Sequence, residues 1–264
     1  MTTLAEAMLG TARACGGTYQ GVATGGSTTT LVDSANSEPD NYFLGGCIWF
    51  LSGNNAGKSA QITGWDDGTH TFTFATQSGA CAAGDRYAAV SVDYPRWLLM
   101  QAVNQALQEI GEIPTNNDTV TTVAGQQEYT LPAGVARVCR LEIANASAAP
   151  YDFTIHMHWK ERNGKLYITP GWEMAETGRV MRLWYNAAHA ELTADADVVN
   201  GALPLELVRW KAAEYALRHR LRHTADNKDA AAAIADAIEQ AARSQGKYLG
   251  WVQRMAPDAM MGGW

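Results

Sequence analysis

The sequence predicts an α+β protein, because helical patterns and strand patterns occupy separate segments of the chain. Four segments repeat apolar residues at helical spacing, and the segments between them alternate apolar and polar residues or are rich in Gly and Thr. The last nineteen residues, 246–264, are rich in Trp, Met and Gly, a composition that neither continues a helix nor suits exposure to water. We therefore expect helices, two β sections and an extended C-terminal arm.

Helical spacing of apolar residues predicts four helices. In the second, Asp93 and Pro95 suit an N-terminal cap and a first turn, and Gly111 ends the apolar face. Pro204 opens the third helix, and Asp226 is placed to cap the fourth. The predicted helices are residues 2–14, Pro95–Gly111, Pro204–His223 and Lys228–Leu249.

Two stretches of the chain carry strand patterns. Residues 16–94 are dense in Gly and Thr and form short alternating runs with turns at Asp67-Gly68 and Gly84-Asp85, which predicts a small, barrel-like all-β module. A second β section is expected within residues 117–200, where Asn163-Gly164 indicates a hairpin. The predicted organisation is an N-terminal helix at 1–15, an inserted β module at 16–94, a body at 95–249 and an arm at 250–264.

Composition and charge exclude several classes of protein. The formal net charge is −7, and basic residues outnumber acidic ones only after residue 203, by nine to seven. A sequence-independent DNA binder needs clustered Lys and Arg, which most of this chain lacks. We therefore expect DNA at most to slide past a weakly negative protein surface. The chain shows neither a bilayer-length apolar run nor a secretory signal at its start, so we expect synthesis in the cytosol and no membrane contact. The spacing of Cys15, Cys47, Cys81 and Cys139 indicates reduced thiols.

Three motifs resemble binding sites but lack a required residue. The segment Gly53–Ser59 reads GNNAGKS and has three residues between its glycines, where a phosphate-binding P-loop needs four. His156 and His158 share one strand face but have no third metal ligand in their sequence context. His219 and His223 share a helix face without the Glu that a zinc protease places beside them. We therefore predict neither a cofactor nor a metal.

Carboxylate pairs and tryptophans give little indication of catalysis. Asp66 with Asp67, and Asp195 with Asp197, fall in turn-like sequence without neighbours that would set two different pKa values, which favours solvated turns. A cell-wall or carbohydrate-acting enzyme is an alternative, because four tryptophans could stack on sugars, although packing in a β core is the simpler interpretation. These four are Trp49, Trp65, Trp172 and Trp184.

The C-terminal arm is the strongest candidate for a binding surface. Its bulky apolar anchors would each gain about 1.5 to 3 kcal/mol on burial, either on another subunit or folded back over their own domain. The predicted docking residues are Tyr248, Leu249, Trp251, Met255, Met260, Met261 and Trp264. On the third helix, Arg218 and Arg222 share one edge that could meet acidic residues of a neighbouring subunit or a DNA backbone.

Four stretches, spread over about two thirds of the chain, match one protein family in composition and order. They are the helix Pro95–Gly111 with LLMQAVNQALQEIG, the segment Gly125–Ile143 with GQQEYTLPAGVARVCRLEI, the LWY of Leu183–Tyr185, and the final helical pair with its tail. These stretches resemble the head-to-tail adaptor proteins of tailed bacteriophages, especially of short-tailed phages. The segment Gly25–Phe74 resembles a β module of phage virion proteins.

The resemblance implies a structural protein without catalysis or cofactor. It implies twelve copies in a ring whose body is a helical bundle, with C-terminal arms that reach into the portal protein and with DNA passing through. The tail or nozzle protein and fibres would be further partners, and the location would be the virion neck between capsid and tail, after synthesis in the host cytoplasm. A tail or fibre-attachment protein that binds through the Gly/Thr-rich module is the alternative.

Overall fold

The chain is organised as two units, one of them discontinuous in sequence. A computed structural model describes residues 2–135, 137–224 and 227–248. Unit 1 contains the described residues of Met1–Glu109 and Ala190–Leu249, and unit 2 contains those of Ile110–His189. The chain therefore leaves unit 1 once and returns to it once. The boundaries that the sequence suggested for the arm, body and inserted module stay predictions.

Four helices and fourteen strands are defined within the described residues. The helices are α1 Leu4–Cys15, α2 Arg96–Ile110, α3 Leu205–His223 and α4 Lys228–Gly246. The strands before α2 are β1 Tyr19–Val22, β2 Gly25–Gly26, β3 Thr30–Val32, β4 Cys47–Phe50, β5 Ser59–Asp66, β6 Thr71–Phe74 and β7 Arg86–Val90. Those between α2 and α3 are β8 Glu112–Thr121, β9 Glu128–Thr130, β10 Val138–Ala144, β11 Phe153–Ile155, β12 Trp159–Arg162, β13 Lys165–Ile168 and β14 Val180–Ala188.

The predicted α+β fold with a helical-bundle ring body is wrong, because the protein is mostly β. It is 30% strand and 27% helix, and its sheets are curled and antiparallel. The physical reason is that each β section closes a hydrophobic core of its own from alternating side chains. The helices do pack, α1 against α3 and α3 against α4, and they bury apolar side chains of their own, such as Leu4, Leu99 and Leu207.

In unit 1 the Gly/Thr-rich segment forms a seven-stranded antiparallel sheet in the order β1-β7-β4-β5-β6-β3-β2. The long strand β5 turns the sheet: Ser59–Gln61 pair with β4, and Ile62–Asp66 pair with β6, with a register shift between Ile62 and Gly64. Such irregularities bend a strand and increase the local twist. The sheet therefore curls into a half-barrel.

An aromatic cluster fills the half-barrel. Phe72 is fully buried, and its ring centroid lies 4.4 Å from that of Trp65, 5.0 Å from that of Phe43 and 5.3 Å from that of Tyr87. The indole N–H of Trp65 donates to the Glu38 carbonyl at 2.8 Å, so its one polar atom is satisfied. Aromatic rings thus form the centre of a core that also contains aliphatic residues such as Leu31 and Ile62.

Two helices of unit 1, α1 and α4, begin at side-chain caps. Thr3 and Glu6 form a capping box before α1, with reciprocal side-chain to backbone hydrogen bonds. The Asn227 side chain accepts from the backbone N–H of Ala230 and caps α4, whereas the predicted cap Asp226 lies outside the described residues. Small buried residues on α3, such as Ala212 and Ala216, allow close packing between helices.

Unit 2 packs two antiparallel sheets around one core. The four-stranded sheet has the order β11-β10-β14-β8, and the three-stranded sheet has the order β12-β13-β9. The predicted hairpin is confirmed between β12 and β13, where Asn163 and Gly164 both have the positive φ of a tight two-residue turn. Buried core residues from both sheets are Tyr129, Leu141, Ile143, Leu166, Ile168, Met181 and Leu183.

Candidate functional site

Of the predicted docking residues, Tyr248 is the one within the described part of the chain. It follows α4 in a turn, where its backbone N–H donates to the Gln245 carbonyl at 2.8 Å. The Gln245 side-chain amide donates to the Trp210 carbonyl at 3.4 Å and to the Glu214 carboxylate at 2.6 Å. The end of α4 is therefore held on α3. Leu249, Trp251, Met255, Met260, Met261 and Trp264 lie outside the described residues, and their docking role stays a prediction.

The two members of the predicted basic edge differ in how their charge is compensated. Arg218 donates from Nε and Nη2 to Glu214 Oε1 at 2.9 and 2.6 Å, one helical turn away. Arg222 is exposed, and no described carboxylate forms an ion pair with it. Arg220, between them, donates to the Tyr94 hydroxyl at 3.1 Å and pairs with Asp93 at 2.6 Å. Arg222 is thus the member of the edge that has no ion pair with a carboxylate of the described residues.

A partly buried ion pair, which sequence reasoning missed, joins distant segments of unit 1. Arg96 donates to Asp195 Oδ1 at 2.7 Å and to Ser59 Oγ at 2.9 Å. The backbone N–H and the hydroxyl of Ser59 donate to the two Asp195 oxygens at 2.6 and 2.7 Å. We call Ser59, Arg96 and Asp195 the clasp. No local motif could reveal it, because each member lies in a different segment of the chain.

The clasp corrects the interpretation of Asp195 as a solvated turn residue. Its side chain is 17% exposed, and its backbone carbonyl accepts from the Ala5 N–H at 3.2 Å, which also ties α1 to this segment. Asp197 does occupy a turn, where its carboxylate accepts from the backbone N–H groups of Thr193 and Ala194 at 2.7 and 2.8 Å. These backbone hydrogen bonds hold the pKa of Asp197 below its usual value.

A second buried carboxylate in unit 1 is held by two tyrosines. The Tyr87 and Tyr19 hydroxyls donate to Asp33 Oδ2 at 2.7 and 3.3 Å, and Asp33 is 1% exposed. Burial, reinforced by the hydrogen bond to Asp33, raises the pKa of Tyr87 well above its usual value, so the phenol stays a neutral donor. This arrangement fixes β1 and β7 on the half-barrel core and supplies no group poised for proton transfer.

The segment that resembled a P-loop is a structured hairpin connection. It joins β4 to β5 rather than a strand to a helix. Asn55 is buried, donates to the Gly79 carbonyl at 2.7 Å and accepts from the Gly79 N–H at 3.2 Å. The Lys58 ammonium contacts the Ser78 hydroxyl. The connection is therefore braced against the loop before β7, and it lacks the helix N-terminus that cradles phosphates.

Neither histidine pair belongs to a larger ligand set. Within the described residues, no group of three or more His, Cys, Asp or Glu side chains is placed to hold a metal ion. The His219 and His223 rings are 4.7 Å apart on α3, and His219 also contacts the Trp97 ring at 5.6 Å. In unit 2 the His158 ring stacks on Trp172 with 3.5 Å between centroids, and His156 lies beside it. Both pairs are engaged in aromatic contacts.

The four tryptophans considered for sugar binding have different environments. Trp49 and Trp65 are buried in the half-barrel region, so their faces are not open to a sugar. The Trp184 indole N–H donates to Glu142 Oε2 at 2.9 Å. Trp172 is exposed but already stacked on His158. These residues do not form a single aromatic platform, which weakens the case for a carbohydrate-acting enzyme.

The outer face of the four-stranded sheet in unit 2 carries a network that the sequence did not reveal. Arg182, on β14, donates to both oxygens of Asp118, and its guanidinium lies 3.8 Å from the centre of the Phe153 ring. The hydrogen bonds from Arg182 hold the pKa of Asp118 below its usual value. Glu142, which is buried, pairs with Arg140 and accepts from Trp184. This face combines paired charges with aromatic side chains.

His156 makes the stability of unit 2 dependent on pH. Burial, and secondarily the charge of His158, lower the pKa of His156, and its buried Nε2 has no hydrogen-bond partner among the described residues. A histidine with a lowered folded-state pKa adds stability that is complete above the unfolded value of about 6.5 and is lost as the pH falls from there. We expect unfolding by denaturant to require less denaturant at pH 5.5 than at pH 7.5, and His156→Gln to reduce that difference.

The control for this pH experiment is His223→Gln, because the His223 side chain is exposed on α3. This variant should retain most of the pH dependence of the unit 2 transition, followed by hydrogen exchange of the unit 2 backbone amides at each denaturant concentration. An unchanged difference between the two pH values in His156→Gln would contradict the assignment of His156 as the titrating group.

Comparison with known proteins places the chain in a family. The family model of the SU10 adaptor protein matches residues 79–260, more than two thirds of the chain, a stretch that includes α2, all of unit 2, α3 and α4. No curated protein matches the chain. The described helices include none that is both long enough and apolar enough to cross a bilayer. The resemblance to phage adaptors is confirmed at the level of the family, while the short-tailed type and the inserted module stay predictions. The chain therefore belongs to the SU10 adaptor protein family, and it is a structural adaptor protein of a bacteriophage virion.

Proposed function

We propose that this protein forms a ring, of about twelve copies, that joins the portal of the capsid to the tail and leaves a passage for DNA. The observation that carries the proposal is the match to the adaptor family over residues 79–260. An adaptor role implies contacts with portal or capsid and with tail components. The ring is located in the virion neck, and the protein acts by assembly rather than by catalysis.

The charge of the chain suits a passage through which DNA moves without being held. The net charge of −7 leaves few cations to neutralise phosphates, and most arginines of the described residues are paired with carboxylates. Sequence-independent binding depends on such neutralisation, so a paired surface binds DNA weakly. Arg222 is an exposed cation on α3, without an ion pair to a described carboxylate, that could meet either DNA or an acidic neighbour.

The C-terminal arm is the proposed contact with the portal. The described chain ends at Tyr248, after α4 has been fixed on α3 through Gln245. The sixteen residues beyond it, 249–264, contain Trp251 and Trp264 together with three methionines. Aromatic and Met side chains are enriched in the buried centres of interfaces. Repeating one such arm around a ring gives strong attachment from modest individual contacts.

Removing the arm tests this proposal. A chain truncated after Tyr248 should keep its fold, because the helices and sheets described here end before the cut, but its apparent affinity for portal particles should fall at least about a hundredfold. Cosedimentation with purified portal, with circular dichroism as a check of folding, measures both effects. The control is Arg243→Ala, which removes an exposed ion pair on α4. Normal cosedimentation of the truncated chain would refute the arm as the portal contact.

A tail or fibre-attachment role is the second candidate. The family match begins at residue 79, so most of the half-barrel precedes it. A module outside the family region is free to supply an additional contact, to fibres or to the tail. Electron microscopy of the protein with portal or with fibres separates the two functions, because an adaptor ring should stack coaxially on the portal.

A further inference from the structure

An apolar stripe is exposed on the edge of the four-stranded sheet in unit 2. It consists of Tyr151, Phe153, Ile155 and Met157, at alternate positions of β11 and its flanks. Tyr151 is 41% exposed, Ile155 is 48% exposed and Met157 is 54% exposed. Phe153 is partly covered by the Arg182 guanidinium and contacts the Tyr151 ring at 5.9 Å. We call these four residues the β11 stripe.

The register of the sheet places the stripe on its outer face. Ile155 lies opposite Glu142, and Glu142 lies opposite Arg182, so their side chains share one face. The residue between, Thr154, lies opposite Ile143 and belongs to the face of the core. The stripe is therefore not part of the unit 2 core, and burial of these side chains requires another surface.

Both outer strands of this sheet have an unpaired edge within the described residues. There, β11 pairs with β10 and with no other strand, and β8 pairs with β14 and with no other strand. Proteins usually protect an open edge with charges, Pro or covering loops, because its free N–H and C=O groups attract other strands. The β11 stripe has the opposite character, since an apolar surface lies directly beside the open edge. Such a combination is typical of a site that accepts a strand.

The directions of the strands indicate which strand fits. Each neighbouring pair in the order β11-β10-β14-β8 is antiparallel, so β11 and β8 run in opposite directions. A second copy placed by a small rotation about a ring axis keeps its strand directions. Its β8 would therefore lie antiparallel to β11 and continue the sheet from one copy to the next. This contact is head-to-tail, the type that closes into a ring.

We propose that β11 of one copy pairs with β8 of the next copy and that this seam, in which outer-face side chains of the neighbouring copy lie against the β11 stripe, holds the ring together. The proposal rests on the ring function proposed above and adds the surface through which neighbours bind. Backbone hydrogen bonds between the two edges provide the pairing, and burial of Ile155, Met157 and Tyr151 provides the apolar contribution. The ten residues of β8 are long enough to span β11 and both of its flanks.

Engineered disulfides test the seam directly. Thr154→Cys on β11 is combined in turn with Thr115→Cys, Asn117→Cys or Val120→Cys on β8, three positions that lie on the same face of the sheet as Thr154 and sample the register. The chain carries Cys139→Ser, because Cys139 is partly exposed, whereas burial raises the pKa of Cys15 to about 12 and keeps that thiol protonated. In rings assembled on the portal, one double variant should form a ladder of linked dimers and larger species, and no single variant should.

The linkage pattern separates the seam from other contacts. Linking by Thr154→Cys alone would show a symmetric β11 to β11 contact and overturn the proposal. Rings that form but link in none of the three registers would also overturn it. If a tail or fibre protein instead links to Thr154→Cys, the edge accepts a different partner and the seam is refuted.

A substitution in the stripe provides an independent test. Ile155→Asp should reduce ring assembly at least about tenfold, since a buried unpaired carboxylate opposes association, whereas Val123→Asp, at another exposed apolar position of unit 2, should not. Thermal unfolding of the unassembled chains checks that both variants fold. If Ile155→Asp assembles normally while the unmodified chain forms rings, the seam is refuted and the ring function stands. If the unmodified chain forms no ring with the portal, the ring function itself fails.

Discussion

Replacing Phe72 with Ala is expected to lower the free energy of unfolding of unit 1 by about 3 to 5 kcal/mol. The Phe72 ring is fully buried at the centre of the half-barrel and contacts the rings of Phe43, Trp65 and Tyr87. Truncation removes the transfer free energy of the ring and leaves a cavity between Phe43, Trp65 and Tyr87, which come from three different segments of the chain. Those neighbours are large and mutually packed, so they cannot collapse to fill it. Denaturant unfolding followed by circular dichroism measures the change.

The matched control at this site is Phe72→Leu, which keeps most of the volume and should cost about 1 to 1.5 kcal/mol. The ratio of the two effects distinguishes a cavity from a general disturbance of β6. A Phe72→Ala variant that loses less than about 1 kcal/mol would show that the aromatic cluster does not form the core of the half-barrel.

Replacing Asp195 with Ala is expected to lower the free energy of unfolding by about 3 kcal/mol, near the lower end of the range for breaking a buried ion pair. The lower end applies because the side chains of Arg96 and Asp195 remain 26% and 17% exposed to solvent. The substitution leaves the Arg96 charge and the Ser59 N–H without their acceptor. The Asn variant, which keeps an acceptor oxygen but not the charge, should fall between Ala and the unchanged chain.

Glu239→Ala is the control for the clasp, because its ion pair with Arg243 on α4 is exposed on both sides. Exposed pairs of this spacing contribute about 0.3 to 0.5 kcal/mol, so this variant should be almost as stable as the unchanged chain. If Asp195→Ala and Glu239→Ala lowered the free energy of unfolding equally, the proposed contribution of the clasp to stability would be wrong. The double variant Arg96→Ala with Asp195→Ala should lose less than the sum of the two single losses, because the residues act as one unit.

Sequence patterns predicted the helices and turns that are determined by residues close to one another in sequence. The apolar spacing of α1 and α2 is visible in the sequence, and the Asn163-Gly164 turn is specified by two residues with positive φ. Family membership was also accessible, because the resemblance falls largely within the matched residues 79–260. The predicted docking arm falls mostly outside the described residues and stays a prediction.

The wrong predictions and the missed features have a common cause. Each of these features depends on contacts between segments that are distant in sequence. The helical-bundle body was wrong because helix patterns do not reveal that each β section closes its own core. Asp195 was interpreted from neighbours in sequence, whereas its partners Ser59 and Arg96 lie in other segments. The β11 stripe is recognisable only once β11 is known to be an edge strand.

The discontinuity of unit 1 determines the order in which the chain can fold during synthesis. Leu4 and Ala5 donate backbone hydrogen bonds to Asp197 and Asp195, and α1 packs on α3, so the amino-terminal helix meets its partners only after some two hundred further residues have left the ribosome. At translation rates of about 5 to 20 residues per second, this delay lasts roughly 10 to 40 seconds. The half-barrel and unit 2 are complete in sequence before then. During that interval the apolar face of α1 is without its native cover, so the nascent chain is expected to need a chaperone at its first helix.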